Sequence, residues 1–154
     1  MALAQVCMEV AKVLAAIELP ADSAAKKKKP HEVFEIPPGS NVMLTSKVPC
    51  FIVWADAVPE RLRMGNLVEV NQTLQIDFYG ETGDNGLRFA REFFDAASRA
   101  VNDQQRAGTR FNESVDLVGD LRTERPQEAA MEWAKATYPG WRAFLDLQWF
   151  EDVG

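Results

Sequence analysis

The chain has 154 residues, of which 47% are hydrophobic and 26% charged, so composition and length fit one ordinary globular domain over 1–154. The formal net charge of −6 argues against a general nucleic-acid binder, whose surface is normally basic. No apolar run is long enough for a membrane span, and the N-terminus lacks the basic start of a signal peptide. We therefore expect no membrane contact, and location in the cytoplasm or in an assembly built there.

The first predicted element is an amphipathic helix over residues 2–19. Apolar residues recur every three or four positions, and Pro20 ends the pattern. Cys7 falls on this helix and Cys50 in a later apolar run. We interpret both as reduced, buried, small hydrophobic residues, although the sequence leaves a disulfide between them open.

Residues 20–40 are predicted to form an extended Lys- and Pro-rich loop or arm. The four lysines Lys26, Lys27, Lys28 and Lys29 are either a solvated charge run or an adhesive arm for an acidic partner. The single histidine, His31, lies beside them, and a lone loop histidine is seldom catalytic.

Two strands are predicted next. Residues 50–54 form a short apolar run after Pro49. From Val68 to Tyr79 apolar and polar residues alternate, which predicts a strand with one buried and one solvated face, with Gln72 as an exception. Glu69, Asn71, Thr73, Gln75, Asp77 and Tyr79 are assigned to the solvated face.

The second half of the chain mixes helical and strand patterns. A helix is predicted from the turn at 80–84 to about Gln105, with Thr82 or Asp84 as its cap. A short strand is possible at 114–118, and 128–137 has helical composition, broken by Pro139-Gly140. A last strand alternates over 141–150. The expected fold is α/β (α+β), a mixed or antiparallel sheet with helices packed on one face.

Residues that could carry chemistry form no recognisable site. There is no phosphate loop, no zinc spacing and no nucleophile motif. The densest acidic set, Asp77, Glu81 and Asp84, resembles a solvated turn more than a metal site. We therefore predict a protein that assembles with others, with no catalytic residue, no cofactor and no metal.

Several segments resemble one known family. Residues 68–80, VEVNQTLQIDFYG, with Asp84-Asn85 and the aromatic helix that follows, are similar to the central block of tail (neck) terminator proteins of tailed bacteriophages. Residues 49–63 and 141–149 are similar to the preceding and closing strands of that family.

The resemblance implies a virion protein of the tail top, with no enzymatic activity. Its copies would form a ring, expected to be a hexamer, that caps the tail tube, ends its polymerisation and joins head-completion proteins. DNA would pass through the lumen without specific binding, which an acidic chain favours. The alternatives are another head–tail completion or tube-like virion protein, or a small cytosolic enzyme or regulator.

Two charged segments are candidates for the contact faces, in addition to the lysine run. We predict these to be loops of mixed charge, which favours selective pairing over general adhesion. The candidate interface residues are Glu60, Arg61 and Arg63 in the first, and Asp120, Arg122, Glu124 and Arg125 in the second.

Overall fold

The computed structural model describes residues 3–19, 31–35, 38–39, 47–55, 58–83, 85–106, 115–117, 121–123 and 129–152. The helices are α1 (Leu3–Ala15) and α2 (Gly86–Arg106). The strands are β1 (Glu32–Phe34), β2 (Cys50–Ala55), β3 (Glu60–Met64), β4 (Leu67–Tyr79), β5 (Val115–Leu117), β6 (Arg122–Thr123), β7 (Ala129–Trp133) and β8 (Ala136–Asp152). This is the predicted α+β fold.

All described strands belong to one mixed sheet. Its main order is β1-β2-β4-β8-β5, with β3 paired to β4 and with β6 and β7 paired to β8. β1 is parallel to β2, and every other described strand pair is antiparallel. The long pair β4–β8 is the centre, because it runs without interruption from Leu67 opposite Asp152 to Tyr79 opposite Gly140.

Both helices pack on one face of this sheet. The predicted alternation of β4 is confirmed there, since Val68, Val70, Leu74, Ile76 and Phe78 join the core beneath α1 and α2. The Phe78 ring stacks on Phe93 of α2 and on Trp141 of β8, with centroids 4.5 Å and 5.6 Å away. The Trp141 indole donates to the Ala90 carbonyl oxygen at 2.9 Å, so the buried polar atom is satisfied.

A second, smaller apolar cluster lies on the opposite face. It contains Val48, Cys50, Ile52, Tyr79, Met131, Trp133 and Tyr138. Tyr79 and Asp77 are buried, so their assignment to a solvated face is wrong for this end of β4. The reason is that side chains of the β7–β8 hairpin pack against this end of β4. Cys7 and Cys50 are free and buried, as predicted, and they lie in different clusters.

The predicted helix over 128–137 is wrong. Residues 129–133 form β7, Ala134 and Lys135 form a tight turn, and β8 begins at Ala136 and continues through Pro139-Gly140. Helical composition is a weak preference that tertiary pairing overrides. Gly140 is required in the strand because a Cβ there would lie 1.9 Å from the Phe78 backbone oxygen.

Three smaller predictions also need correction. Glu60–Met64 is a strand and not a charged loop. Residues 32–34, within the expected arm, form β1. The first turn of α2 is closed by the Phe89 amide, which donates to the Asn85 carbonyl at 3.0 Å, so Asn85 holds the cap position expected for Thr82 or Asp84.

Candidate interaction surface

The sheet face opposite the two helices, which we call the open face, carries the polar and charged side chains of the central strands. At one end the second cluster covers it. In the middle a network of hydrogen-bonded polar residues crosses β4 and β8. At the other end, where β3 pairs with β4, large apolar side chains are exposed.

The network contains an ion pair between a buried carboxylate and a half-exposed arginine. Asp77 is fully buried, and Arg142 Nε donates to its Oδ1 at 2.9 Å while Gln75 donates to Oδ2 at 2.9 Å. Burial raises the pKa of the Asp77 carboxyl above its ordinary value, and the hydrogen bonds and charge of Arg142 only partly offset that rise. The two residues lie directly opposite each other on β4 and β8, so the pair joins the two central strands.

A second charged group lies further along the same face. Thr73 donates to Asp146 at 2.6 Å, and Arg122 of β6 reaches the same carboxylate at 3.2 Å while lying 5.2 Å from the Phe144 ring centroid. Partial burial raises the pKa of Asp146, but these hydrogen bonds and the Arg122 charge outweigh it and leave the pKa below its ordinary value.

The exposed end carries what we call the apolar patch, which consists of Leu62, Met64, Leu67 and Phe150. These side chains keep 58%, 47%, 45% and 44% of their surface exposed. Strand register places them at the same end of the open face, with Leu62 and Phe150 on either side of Glu69 and with Met64 opposite Leu67. Side chains that share a cross-strand row share a face.

Polar side chains border the apolar patch. The next cross-strand row holds Glu60, Asn71 and Gln148. Gln148 donates to Glu69 and, at 3.2 Å, to Asn71. The patch thus has a polar border and Glu69 between two of its apolar side chains, a mixture of apolar and polar groups that protein–protein interfaces also show.

The predicted interface residues fall at separate places. Glu60 borders the apolar patch, whereas Arg61 and Arg63 point to the helix side of β3, where Arg61 pairs with Glu151 at 2.5 Å. Arg122 lies across β8 from them, on β6. Lys26, Lys27, Lys28, Lys29, Asp120, Glu124 and Arg125 lie outside the described residues. The structure therefore does not join the two predicted faces into one.

The sequence patterns did not predict the apolar patch, although a signal for it was present. Leu62 and Met64 alternate with Arg61 and Arg63, which is the pattern of a strand with two different faces. Phe150 falls on the opposite alternation from Trp149. Only the register of three strands shows that these residues lie at the same end of one face.

The single histidine, a residue type that often takes part in catalysis or metal binding, is used in packing. His31 Nε2 lies 2.8 Å from the Leu14 carbonyl oxygen, and its ring meets the edges of Phe51 and Phe93 at centroid distances of 5.6 Å. Within the part of the chain that the structure describes, no three His, Cys, Asp or Glu side chains are grouped to hold a metal ion. Neither described helix has the length and apolarity to cross a membrane.

Neither a scan against protein-family models nor a search of curated proteins finds a match to this chain.

Proposed function

We propose that this chain is a structural subunit of a tailed-phage neck, a tail terminator whose copies form a ring that caps the tail tube and joins it to the head. The observation that supports an assembly role is the apolar patch at the open end of the sheet. Four large apolar side chains are exposed at one end of a sheet face, divided only by Glu69, and a surface of this kind is typical of a site of protein association. The resemblance of residues 49–94 and 141–149 to tail terminator proteins supports the phage neck as that assembly.

The apolar patch suits a contact with a regular partner. Its four side chains project from three hydrogen-bonded strands, so little conformational freedom is lost when a partner covers them. Glu60 at its border and Glu69 between Leu62 and Phe150 add negative charge, which disfavours partners that place acidic side chains on this face. Such a surface would match the top of the tube, while a different surface meets the head and prevents another tube ring from adding.

The test is tube growth in vitro. Purified tail tube protein is allowed to polymerise with and without this chain, and tube length is measured by electron microscopy. The wild-type chain should shorten the tubes by capping their ends. The purified chain alone should have the mass of a closed ring, which we expect to contain six copies.

A double variant, Leu62→Ser with Phe150→Ser, should lose the capping effect without unfolding, because both side chains are already half-exposed. The matched control is Leu87→Ser, since Leu87 is equally exposed, at 49%, but lies on α2 on the other side of the sheet. If the wild-type chain leaves tube length unchanged, the proposal is wrong.

A further inference from the structure

β3 is an outer strand of the described sheet. It pairs with β4 over five consecutive residues, Glu60–Met64, and among the described strands it has no neighbour on its other side. All five of its residues are exposed. An outer strand presents a row of backbone N–H and C=O groups to any extended chain that approaches.

The hairpin holds this edge in a regular conformation. The pairing with β4 is one residue to one, with no extra residue, and it closes in a two-residue turn, Gly65-Asn66. Gly65 has φ +64°, which suits glycine at the first position of such a turn. The edge is thus a regular strand without a bulge over Glu60–Met64, as strand addition requires.

The two faces of β3 differ in chemistry. Leu62 and Met64 belong to the apolar patch on the open face. Arg61 and Arg63 lie on the helix side, where Arg61 contacts Glu151 and Arg63 Nε donates to the Gly65 carbonyl at 3.2 Å. A guanidinium has five N–H donors, so each arginine retains donors for a second carboxylate.

The arginines also decide which strand is accepted. If two copies paired antiparallel through β3 about Leu62, Arg61 of each copy would lie opposite Arg63 of the other. Like charges directly opposite each other destabilise a strand pair. β3 therefore disfavours itself and favours a strand with carboxylates at alternate positions.

We propose that β3 is a strand-addition site for an extended segment of a partner protein in which acidic and apolar residues alternate. The acidic side chains lie opposite Arg61 and Arg63, and the apolar ones lie opposite Leu62 and Met64 and extend the apolar patch. The inference goes beyond the terminator function and does not depend on it, because it concerns how β3 binds and not which assembly the partner belongs to.

The test uses the full chain and a short capped peptide that alternates valine and glutamate. Binding is followed by fluorescence anisotropy and by backbone amide NMR. The glutamate peptide should bind and slow amide exchange within β3. A peptide with lysine in place of glutamate should bind at least about tenfold more weakly, since two cross-strand charge pairs are reversed.

Backbone pairing is tested separately. In an added strand, alternate N–H groups point toward β3 and the others point away. Of two peptides N-methylated at alternate residues in opposite phase, one should lose binding and the other should keep it. Equal behaviour of the two would overturn strand addition, as would the absence of glutamate-peptide binding.

Arg61→Gln with Arg63→Gln should reduce the affinity for the glutamate peptide about tenfold, so that the glutamate and lysine peptides bind with similar affinity. Arg88→Gln with Arg91→Gln, the same charge change on the exposed side of α2, should leave both affinities unchanged. Both variants should keep the wild-type thermal midpoint. Unchanged selectivity in the β3 variant would overturn the proposed acidic character of the partner.

Discussion

Gly140 shows how one residue constrains the centre of the sheet. It lies in β8 opposite Tyr79, and any Cβ at this position would meet the backbone oxygen of Phe78 and the side chain of Met131. Backbone atoms cannot move aside as the end of a flexible side chain can. Pro139-Gly140 therefore permits close approach of β4 and β8, where its composition suggests a break.

The first prediction concerns the close approach of β4 and β8 at Gly140. Gly140→Ala should lower the free energy of unfolding by about 2–4 kcal/mol, because the β4–β8 pair must separate locally. Thr137→Ala, at an exposed position of the same strand, should change it by less than about 0.5 kcal/mol. Urea unfolding measures both, and equal effects would show that no close approach exists.

The second prediction concerns Asp77 and Arg142. Arg142→Leu should cost about 2 kcal/mol near neutral pH, somewhat less than for a fully buried pair because Arg142 is half-exposed. Burial already raises the pKa of Asp77, and loss of Arg142 raises it further. Because the pKa of Asp77 is higher in the folded than in the unfolded state, stability is lost as pH rises from the unfolded-state value to the folded-state value. Below about pH 4 Asp77 is protonated in both states, so the variant should be nearly as stable as the wild type.

Unfolding free energies of the wild type and the variant, measured from acid to neutral pH, test whether the stability loss grows toward neutral pH. The control is Asp77→Asn in the Arg142→Leu background, which removes the titrating group, so the pH-dependent part of the loss should disappear. A loss that grows toward acid pH would contradict the account.

At the scale of elements, the β7–β8 hairpin turns on two residues that rarely adopt its conformation. Ala134 and Lys135 have φ values of 47° and 66°, the left-handed region that glycine and asparagine occupy most easily. The hairpin is retained because Met131, Trp133 and Tyr138 on its strands form the second cluster with Tyr79. Packing thus compensates for unfavourable turn residues.

The third prediction follows from this strain. Lys135→Gly should raise the free energy of unfolding by about 0.5–1 kcal/mol, the relief of left-handed strain less the added flexibility of glycine. Lys135→Ala removes the same side chain but keeps the Cβ, so it should give no gain. Thermal unfolding compares the two, and equal stability of both variants would refute the turn strain.

The sequence predicted the elements whose local signals agree with their environment. The alternation of β4, the amphipathic α1 and α2, and the strand over 141–150 were all readable, and the fold class followed from them. The β7–β8 hairpin could not be read from the sequence, since residues 128–137 have helical composition and no glycine or asparagine at the turn. The apolar patch was not readable either, because only the register of β3, β4 and β8 brings Leu62 and Phe150 to the two sides of Glu69.

At the scale of the whole molecule, the sheet separates two tasks. The helices cover one face and build the core, and the open face combines a hydrogen-bonded polar network with the apolar patch. A subunit that must stop the growth of a polymer needs such asymmetry, because one surface has to match the polymer while the other must not. The proposed terminator function rests on that division.

The most direct test is tail length in a phage that lacks this chain, measured in electron micrographs. A terminator account predicts tails that grow past their normal length or that fail to join heads, and rescue by the wild-type chain but not by Leu62→Ser with Phe150→Ser. Tails of normal length joined to heads in the deletion mutant would contradict it.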